Sequence, residues 1–68
     1  MNDNEYIIEA QKTIGGTFQF ALTNEKWYCE MPWLGQYAGS GNSPREAARD
    51  LVGRIQKDGQ YHSLEKFL

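Results

Sequence analysis

Two stretches of alternating apolar and polar residues predict a β-hairpin. The first covers residues 17–23 and the second covers residues 27–31. The apolar side chains of each stretch share one side of the extended chain: Phe18, Phe20 and Leu22 in the first, and Trp27, Cys29 and Met31 in the second. Tyr28 and Glu30 therefore face the other side, so at most one of Trp27 and Tyr28 belongs to the core. The polar residues 24–26 predict a three-residue connection.

After the hairpin, the sequence predicts a short third strand and then a helix. Pro32 ends the second strand because it lacks an amide donor. We expect a third strand over residues 36–39, which ends in a flexible Gly39-Ser40-Gly41 turn. Together with the helix described next, this gives the element order β-β-β-α.

A helix is predicted from Ser43 to about Lys57. Ser43 suits the N-cap, Pro44 suits the first helical position, and Glu46 completes a capping box by reaching back to the amide of Ser43. Its apolar face consists of Ala47, Ala48, Leu51 and Ile55. Arg45, Arg49 and Asp50 should point toward solvent. Asp50 and Arg54 are spaced for a surface ion pair, and Asp58-Gly59 should end the helix.

The two ends of the chain leave alternatives open. Over residues 4–14, Tyr6, Ala10 and Ile14 have helical spacing, whereas the run of Tyr6, Ile7 and Ile8 is good strand material. We favour an edge strand there over a helix that stops at Gly15-Gly16. Residues 60–68 could pack as a short helix or a strand. The sequence thus predicts a single α+β domain over residues 1–68: a three-stranded antiparallel sheet with one amphipathic helix on a face and an extra N-terminal strand or helix.

The composition and the net charge argue against some classes of function. The chain has 68 residues, seven Lys and Arg, nine Asp and Glu, and a net charge of −2, which argues against sequence-independent nucleic-acid binding. No apolar run approaches the roughly 20 residues of a membrane span, and the N-terminus is polar and acidic. We therefore expect a cytoplasmic protein with no membrane partner.

The residues that could carry catalysis are few. The single cysteine, Cys29, excludes an intrachain disulfide and a cysteine zinc cluster, and it is 33 positions from the single histidine, His62. Glu46 and Asp50 share a helical face, but a helix cap and an ion pair account for them. Gly39-Ser40-Gly41 lacks the lysine of a phosphate-binding loop. We expect no enzyme activity, no cofactor and no metal site.

Residues 32–47 carry a resemblance to HicB-type antitoxins. That family shows Pro-x-Leu before its third strand and Gly-Asp-Thr-x-x-Glu-Ala at the start of a helix. The matching positions here are Pro32, Leu34, Gly41, Glu46 and Ala47, with Asn42-Ser43 in place of Asp-Thr. The resemblance covers residues 17–56. It implies a partial ribonuclease-H-like fold without nuclease activity, which binds and blocks a small RNA-cleaving toxin as a dimer or higher oligomer.

The same stretch also resembles the last third of a double-stranded-RNA-binding domain. The family pattern Gly-x-Gly-x-Ser-Lys-Lys-x-Ala-Lys is matched by residues 39–48, and a helix over residues 4–14 would complete the order α-β-β-β-α. Of its three phosphate-gripping basic positions only Arg45 is basic here, and the first strand-to-strand loop is too short to reach a minor groove.

Our leading hypothesis is a non-catalytic inhibitor that occludes a protein partner, a toxin or another host protein. Domains of this size also serve mobile elements and phages as inhibitors of host systems. Its contact patch should be Trp33, Leu34 and Tyr37, and the free edge of its sheet should serve formation of a homodimer. The alternatives are a structural subunit of a larger assembly and a nucleic-acid-binding module. The contacts of that module would be Arg45, Arg49, Arg54 and Lys57.

Overall fold

The fold is an antiparallel three-stranded sheet combined with two helices. This confirms the predicted α+β class. A computed structural model describes residues 2–32, 37–58 and 67–68. The elements in chain order are α1 (Asp3–Ile14), β1 (Gln19–Thr23), β2 (Lys26–Glu30), β3 (Ala38–Gly41) and α2 (Pro44–Lys57). The strand order is β1-β2-β3, α2 packs on β2 and β3, and α1 packs against α2.

The N-terminal segment is a helix, so the strand that we favoured over residues 4–14 is wrong. Asn2 caps α1, because its side-chain oxygen accepts the Glu5 amide at 2.9 Å, and Gly15 ends it in the left-handed region at φ 87°. Tyr6 and Ile14 are buried on its inner face with Ala10 between them. The helical spacing and the two caps therefore outweigh the strand propensity of Tyr6-Ile7-Ile8.

The hairpin between β1 and β2 has a two-residue turn rather than the predicted three-residue connection. Thr23 pairs with Lys26, and only Asn24 and Glu25 lie between the strands. Both turn residues have positive φ, 52° and 63°. Such a turn twists in the same sense as the strands that it joins, which a turn with negative φ does not.

The strand faces agree with the predicted alternation. Phe18, Cys29 and Met31 are buried on the inner face, and Phe20 and Trp27 are partly buried beside them. The third strand lies two residues later than predicted, since β3 spans Ala38–Gly41 and Gln36 lies outside the described residues. The Gly39-Ser40-Gly41 run, expected to be a flexible turn, is therefore part of the sheet.

Glycine in β3 allows α2 to lie directly on the strand. A Cβ atom on Gly39 would come within 2.3 Å of the Ala47 carbonyl oxygen and 2.4 Å of the Leu51 amide nitrogen. Any side chain there would collide with the helix backbone. The predicted apolar face of α2 is fully buried, and Val52 belongs to it as well.

The predicted capping box at the start of α2 is half correct. The Ser43 hydroxyl accepts the Glu46 amide at 3.1 Å, as expected of the N-cap. The Glu46 carboxylate, however, accepts the amide of Asn42 at 2.7 Å, rather than that of Ser43. This brings the carboxylate back toward the end of β3. The helix ends at Lys57, next to Asp58 as predicted.

The last residues of the chain return to α1. The Tyr6 hydroxyl donates to the Phe67 carbonyl oxygen at 2.7 Å in a buried hydrogen bond. The two rings meet edge to face, with centroids 5.7 Å apart. Most of the predicted C-terminal element, residues 60–66, lies outside the described residues. Burial of Phe67 shows that the end of the chain completes the core under α1.

Candidate functional site

Cys29 is unsuited to nucleophilic catalysis. Its side chain is fully buried at the centre of the sheet. Burial, with a smaller contribution from the charge of Glu30, raises the pKa of the Cys29 thiol to about 12. The thiol is therefore protonated near neutral pH, whereas a nucleophile needs the thiolate. His62 lies outside the described residues.

The helix carboxylates Glu46 and Asp50 have a structural role. The Asp50 carboxylate accepts the Ser40 amide at 2.9 Å, and the Glu46 carboxylate accepts the Asn42 amide. The Ser40 amide lies on the free edge of β3, and the Asn42 amide directly follows the last residue of that strand. Asp50 also forms the predicted ion pair with Arg54, with 3.3 Å between Arg54 Nε and Asp50 Oδ2. Over residues 2–32, 37–58 and 67–68, no three His, Cys, Asp or Glu side chains are grouped to hold a metal ion.

The structure describes only one residue of the predicted contact patch, and it is buried. Tyr37 is 8% exposed, and its hydroxyl donates to Asp58 Oδ2 at 2.5 Å. This bond fixes the entrance to β3 against the end of α2. Trp33 and Leu34 lie outside the described residues, so their part in the patch stays a prediction.

The sheet carries an exposed face, which we call the outer face. The strand register places eight residues on this side of the sheet: Gln19, Ala21, Thr23, Lys26, Tyr28, Glu30, Ala38 and Ser40. Lys26 and Ser40 also line a groove with residues of α2. Tyr28 is at its centre and is 39% exposed. Ala21 on β1 and Ser40 on β3 stand directly opposite Tyr28 in the strand register. Because both neighbours have small side chains, they leave part of the Tyr28 ring accessible.

The outer face was not identified as a site from sequence, although the signal was present. Alternation along the strand already places the Tyr28 and Trp27 side chains on opposite sides of the sheet, so one of the two rings had to face outward. What sequence does not give is the register that puts the small residues Ala21 and Ser40 beside the ring. That register depends on the two-residue turn and on the position of β3, and both of these were predicted incorrectly.

Three of the four predicted basic contacts come together. Arg49, Arg54 and Lys57 line one groove of about 700 Å³ between α2 and the end of β3. Lys26 lines the same groove, and so do the carboxylates Glu46 and Asp50. Arg49 donates to a main-chain oxygen of Leu68 at the groove wall.

Arg45 lies apart from this groove and does not point freely into solvent as expected. Its guanidinium is 5.0 Å from the centre of the Tyr6 ring, and it forms an ion pair of 3.2 Å with Asp3. Cation–π contact and ion pairing together attach α2 to α1. Arg45 therefore contributes to the packing of the two helices.

No helix within the part of the chain that the structure describes is long and apolar enough to cross a membrane. No family model matches this chain, and no curated protein or solved structure is significantly similar to it.

Proposed function

We propose that this protein is a non-catalytic binding domain in the cytoplasm, which occludes a protein partner as HicB-like domains do. The observation that carries the proposal is the outer face, where an exposed tyrosine stands among small residues. Tyrosine is one of the residue types that dominate binding energy at protein interfaces, because it buries a large rigid ring and keeps a polar hydroxyl.

The geometry of the outer face suits a protein surface. Because Ala21 and Ser40 flank Tyr28, side chains of a partner can pack on either side of the ring. Lys26 and Glu30 lie on the same strand, two residues before and after Tyr28, and are separated by roughly 13 Å at the rise of an extended strand. A partner with an acidic group near Lys26 and a basic group near Glu30 would complement them. Of the predicted patch, Trp33 and Leu34 also follow β2 in sequence, whereas Tyr37 is buried.

The buried cysteine and the two helix carboxylates argue against an enzyme. The only cysteine is buried and protonated, and Glu46 and Asp50 already accept backbone amides. A protein that blocks its partner by covering it needs none of these groups to react. A toxin is the class of partner that the HicB resemblance implies. The small size of the domain also suits an inhibitor that a phage or mobile element directs against another host protein.

A nucleic-acid-binding module is the second candidate. The groove that contains Lys26, Arg49, Arg54 and Lys57 favours it, since four cations there face two carboxylates. The element order α-β-β-β-α is also the one that the double-stranded-RNA-binding resemblance implied. The net charge of −2 and the Asp50–Arg54 ion pair reduce the attraction for phosphate, so we place this candidate second.

The two candidates are separated by one capture experiment with paired variants. The tagged full chain, a Tyr28→Thr variant and an Arg54→Gln/Lys57→Gln variant would each be used for affinity capture from lysate, with and without nuclease. The control is Lys12→Gln, because Lys12 is exposed on α1 away from both surfaces. Circular dichroism would verify that every variant is folded.

We expect one protein to be recovered by the wild type and by the Lys12 and Arg54/Lys57 variants, with and without nuclease. Recovery by Tyr28→Thr should fall at least about tenfold, the effect of losing an interface hot spot. Recovery that collapses with nuclease, or in the Arg54/Lys57 variant alone, would contradict the protein-binding function and favour the nucleic-acid module.

A further inference from the structure

The two edges of the sheet differ in how their backbone groups are used. At β3, the carboxylate of Asp50 accepts the Ser40 amide, which points away from β2. The carboxylate of Glu46 accepts the next such amide, that of Asn42. The β3 edge is thus closed by side chains of α2, and an approaching strand would have to displace them.

The β1 edge is closed only where the strand begins. The Phe18 amide donates to Gln11 Oε1 of α1 at 2.9 Å, which shows that it points away from β2. Backbone groups alternate in direction along an antiparallel strand. Phe20 and Leu22 therefore direct both their amide and their carbonyl toward the open edge. No hydrogen bond to these groups is formed by any residue within 2–32, 37–58 or 67–68.

This open edge lacks the features that keep a strand from pairing. The β1 strand, Gln19–Thr23, has no charged residue and no proline, and its pairing with β2 is regular without a bulge. Leu22 is 58% exposed, and Phe20 is only partly buried. Proteins that remain monomeric usually protect an edge of this kind with lysine, proline or a bulge.

We propose that the β1 edge binds the β1 edge of a second copy of this chain, antiparallel about a two-fold axis through Ala21. In this register Phe20 of each copy faces Leu22 of the other. Both backbone groups of these two residues are used, which gives four hydrogen bonds across the interface. The inference concerns self-association and does not depend on the proposed partner.

The strand is complementary to itself in this register. On the inner side, each Phe20 ring packs against the exposed Leu22 of the second copy, which removes apolar surface from water. On the outer side, the two Ala21 side chains meet and Gln19 faces Thr23, so no like charges oppose each other. A register that places Phe20 opposite itself would require the Phe18 amide to leave Gln11.

Self-pairing would also enlarge the outer face. The two sheets would become one sheet of six strands, and the residues Tyr28, Ala21, Ala21 and Tyr28 would form a row across its middle. At the ordinary spacing of strands, roughly 4.8 Å, the two tyrosines would be about 14 Å apart. A dimer would therefore present both tyrosines on one continuous surface.

Cysteine substitution on β1 tests the register. Ala21→Cys should form a disulfide with its own copy, because residues opposite each other in a non-hydrogen-bonded pair have Cα atoms about 4.5 Å apart. Thr23→Cys is the matched control on the same strand and face, since the register separates the two copies of residue 23 by roughly 13 Å. The native Cys29 is buried and does not compete. Oxidation would be followed on a non-reducing gel.

Charge substitution and sedimentation test the self-association itself. The wild type should show a concentration-dependent dimer in sedimentation velocity. Ala21→Lys and Ala21→Glu should each weaken the dimer about fivefold, since like charges would stand directly opposite each other across the interface, and an equimolar mixture of the two should regain it. A wild type that stays monomeric up to about 1 mM would overturn the proposal. Equal disulfide formation by Thr23→Cys, or no effect of the two charge variants, would overturn this register.

Discussion

Replacing Gly39 with alanine should strongly destabilise this protein, because the strand and the α2 backbone leave no space for a methyl group. The added Cβ would lie 2.3 Å from the Ala47 oxygen and 2.4 Å from the Leu51 nitrogen, whereas ordinary contact begins near 3.4 Å. The helix would have to move about 1 Å from β3. Overpacking commonly costs about 1–3 kcal/mol, and we expect the upper end or more because neither clashing atom can rotate away.

That cost is large for a domain of this size. At about 0.05–0.15 kcal/mol per residue, the 68 residues have a total stability of roughly 3–10 kcal/mol. A loss of about 3 kcal/mol should lower the Tm by about 12–24 °C. The measurement is thermal unfolding by circular dichroism, supported by urea denaturation at 25 °C.

Gly53→Ala provides the matched control. Gly53 lies inside α2, and a Cβ there would meet only Leu68 Cδ2 at an ordinary 3.7 Å. The same substitution should therefore stabilise the helix by about 0.5–1 kcal/mol and raise the Tm. If Gly39→Ala melts within about 3 °C of the wild type, the close approach of α2 to β3 is wrong.

Three further predictions concern the cap, the C-terminal contact and pH. Ser43→Ala should cost about 1 kcal/mol in urea denaturation, because the Glu46 amide loses its acceptor, and an unchanged midpoint would argue against the cap. Tyr6→Phe should cost about 0.5–1.5 kcal/mol, since it removes the buried hydrogen bond from the Tyr6 hydroxyl to the Phe67 carbonyl oxygen, and stability equal to the wild type would contradict that bond. The raised pKa of Cys29, about 12, predicts a contribution of this thiol to the unfolding free energy that is constant below pH 8 and falls as the pH rises toward 12, since only the unfolded thiol ionises from pH about 8.5. Cys29→Ala should reduce this fall, and an unchanged alkaline profile would contradict the cause.

Some elements could be predicted because the interactions that form them join residues close together in the sequence. The Ser43-Pro44 start of α2 combines a cap, a fixed φ and an apolar periodicity within one helix, and it was confirmed. The strand faces followed from alternation alone. By contrast, the strand propensity of Tyr6-Ile7-Ile8 outweighed the Gly15-Gly16 stop in the choice over residues 4–14. The Asn2 cap, which favours the helix, was not recognised from the sequence.

The surfaces were harder to predict because they depend on register and on contacts between distant segments. Tyr37 looked exposed beside a turn, but its hydroxyl reaches Asp58 and its ring is buried. Asp50 was expected to face solvent and Glu46 to accept the Ser43 amide, yet their carboxylates accept the Ser40 and Asn42 amides and close one edge of the sheet. Sequence spacing does not show which backbone amides a carboxylate will meet across the fold.

Photochemical cross-linking from position 28 tests the proposed function most directly. A photoreactive benzoyl-phenylalanine would replace Tyr28 in the full chain, and a second preparation would carry it in place of the exposed Lys12 on α1. After irradiation in lysate and nuclease treatment, we expect one protein adduct from position 28 and none from position 12. An adduct to nucleic acid alone, the same adduct from both positions, or no adduct from position 28 would contradict a protein partner on the outer face.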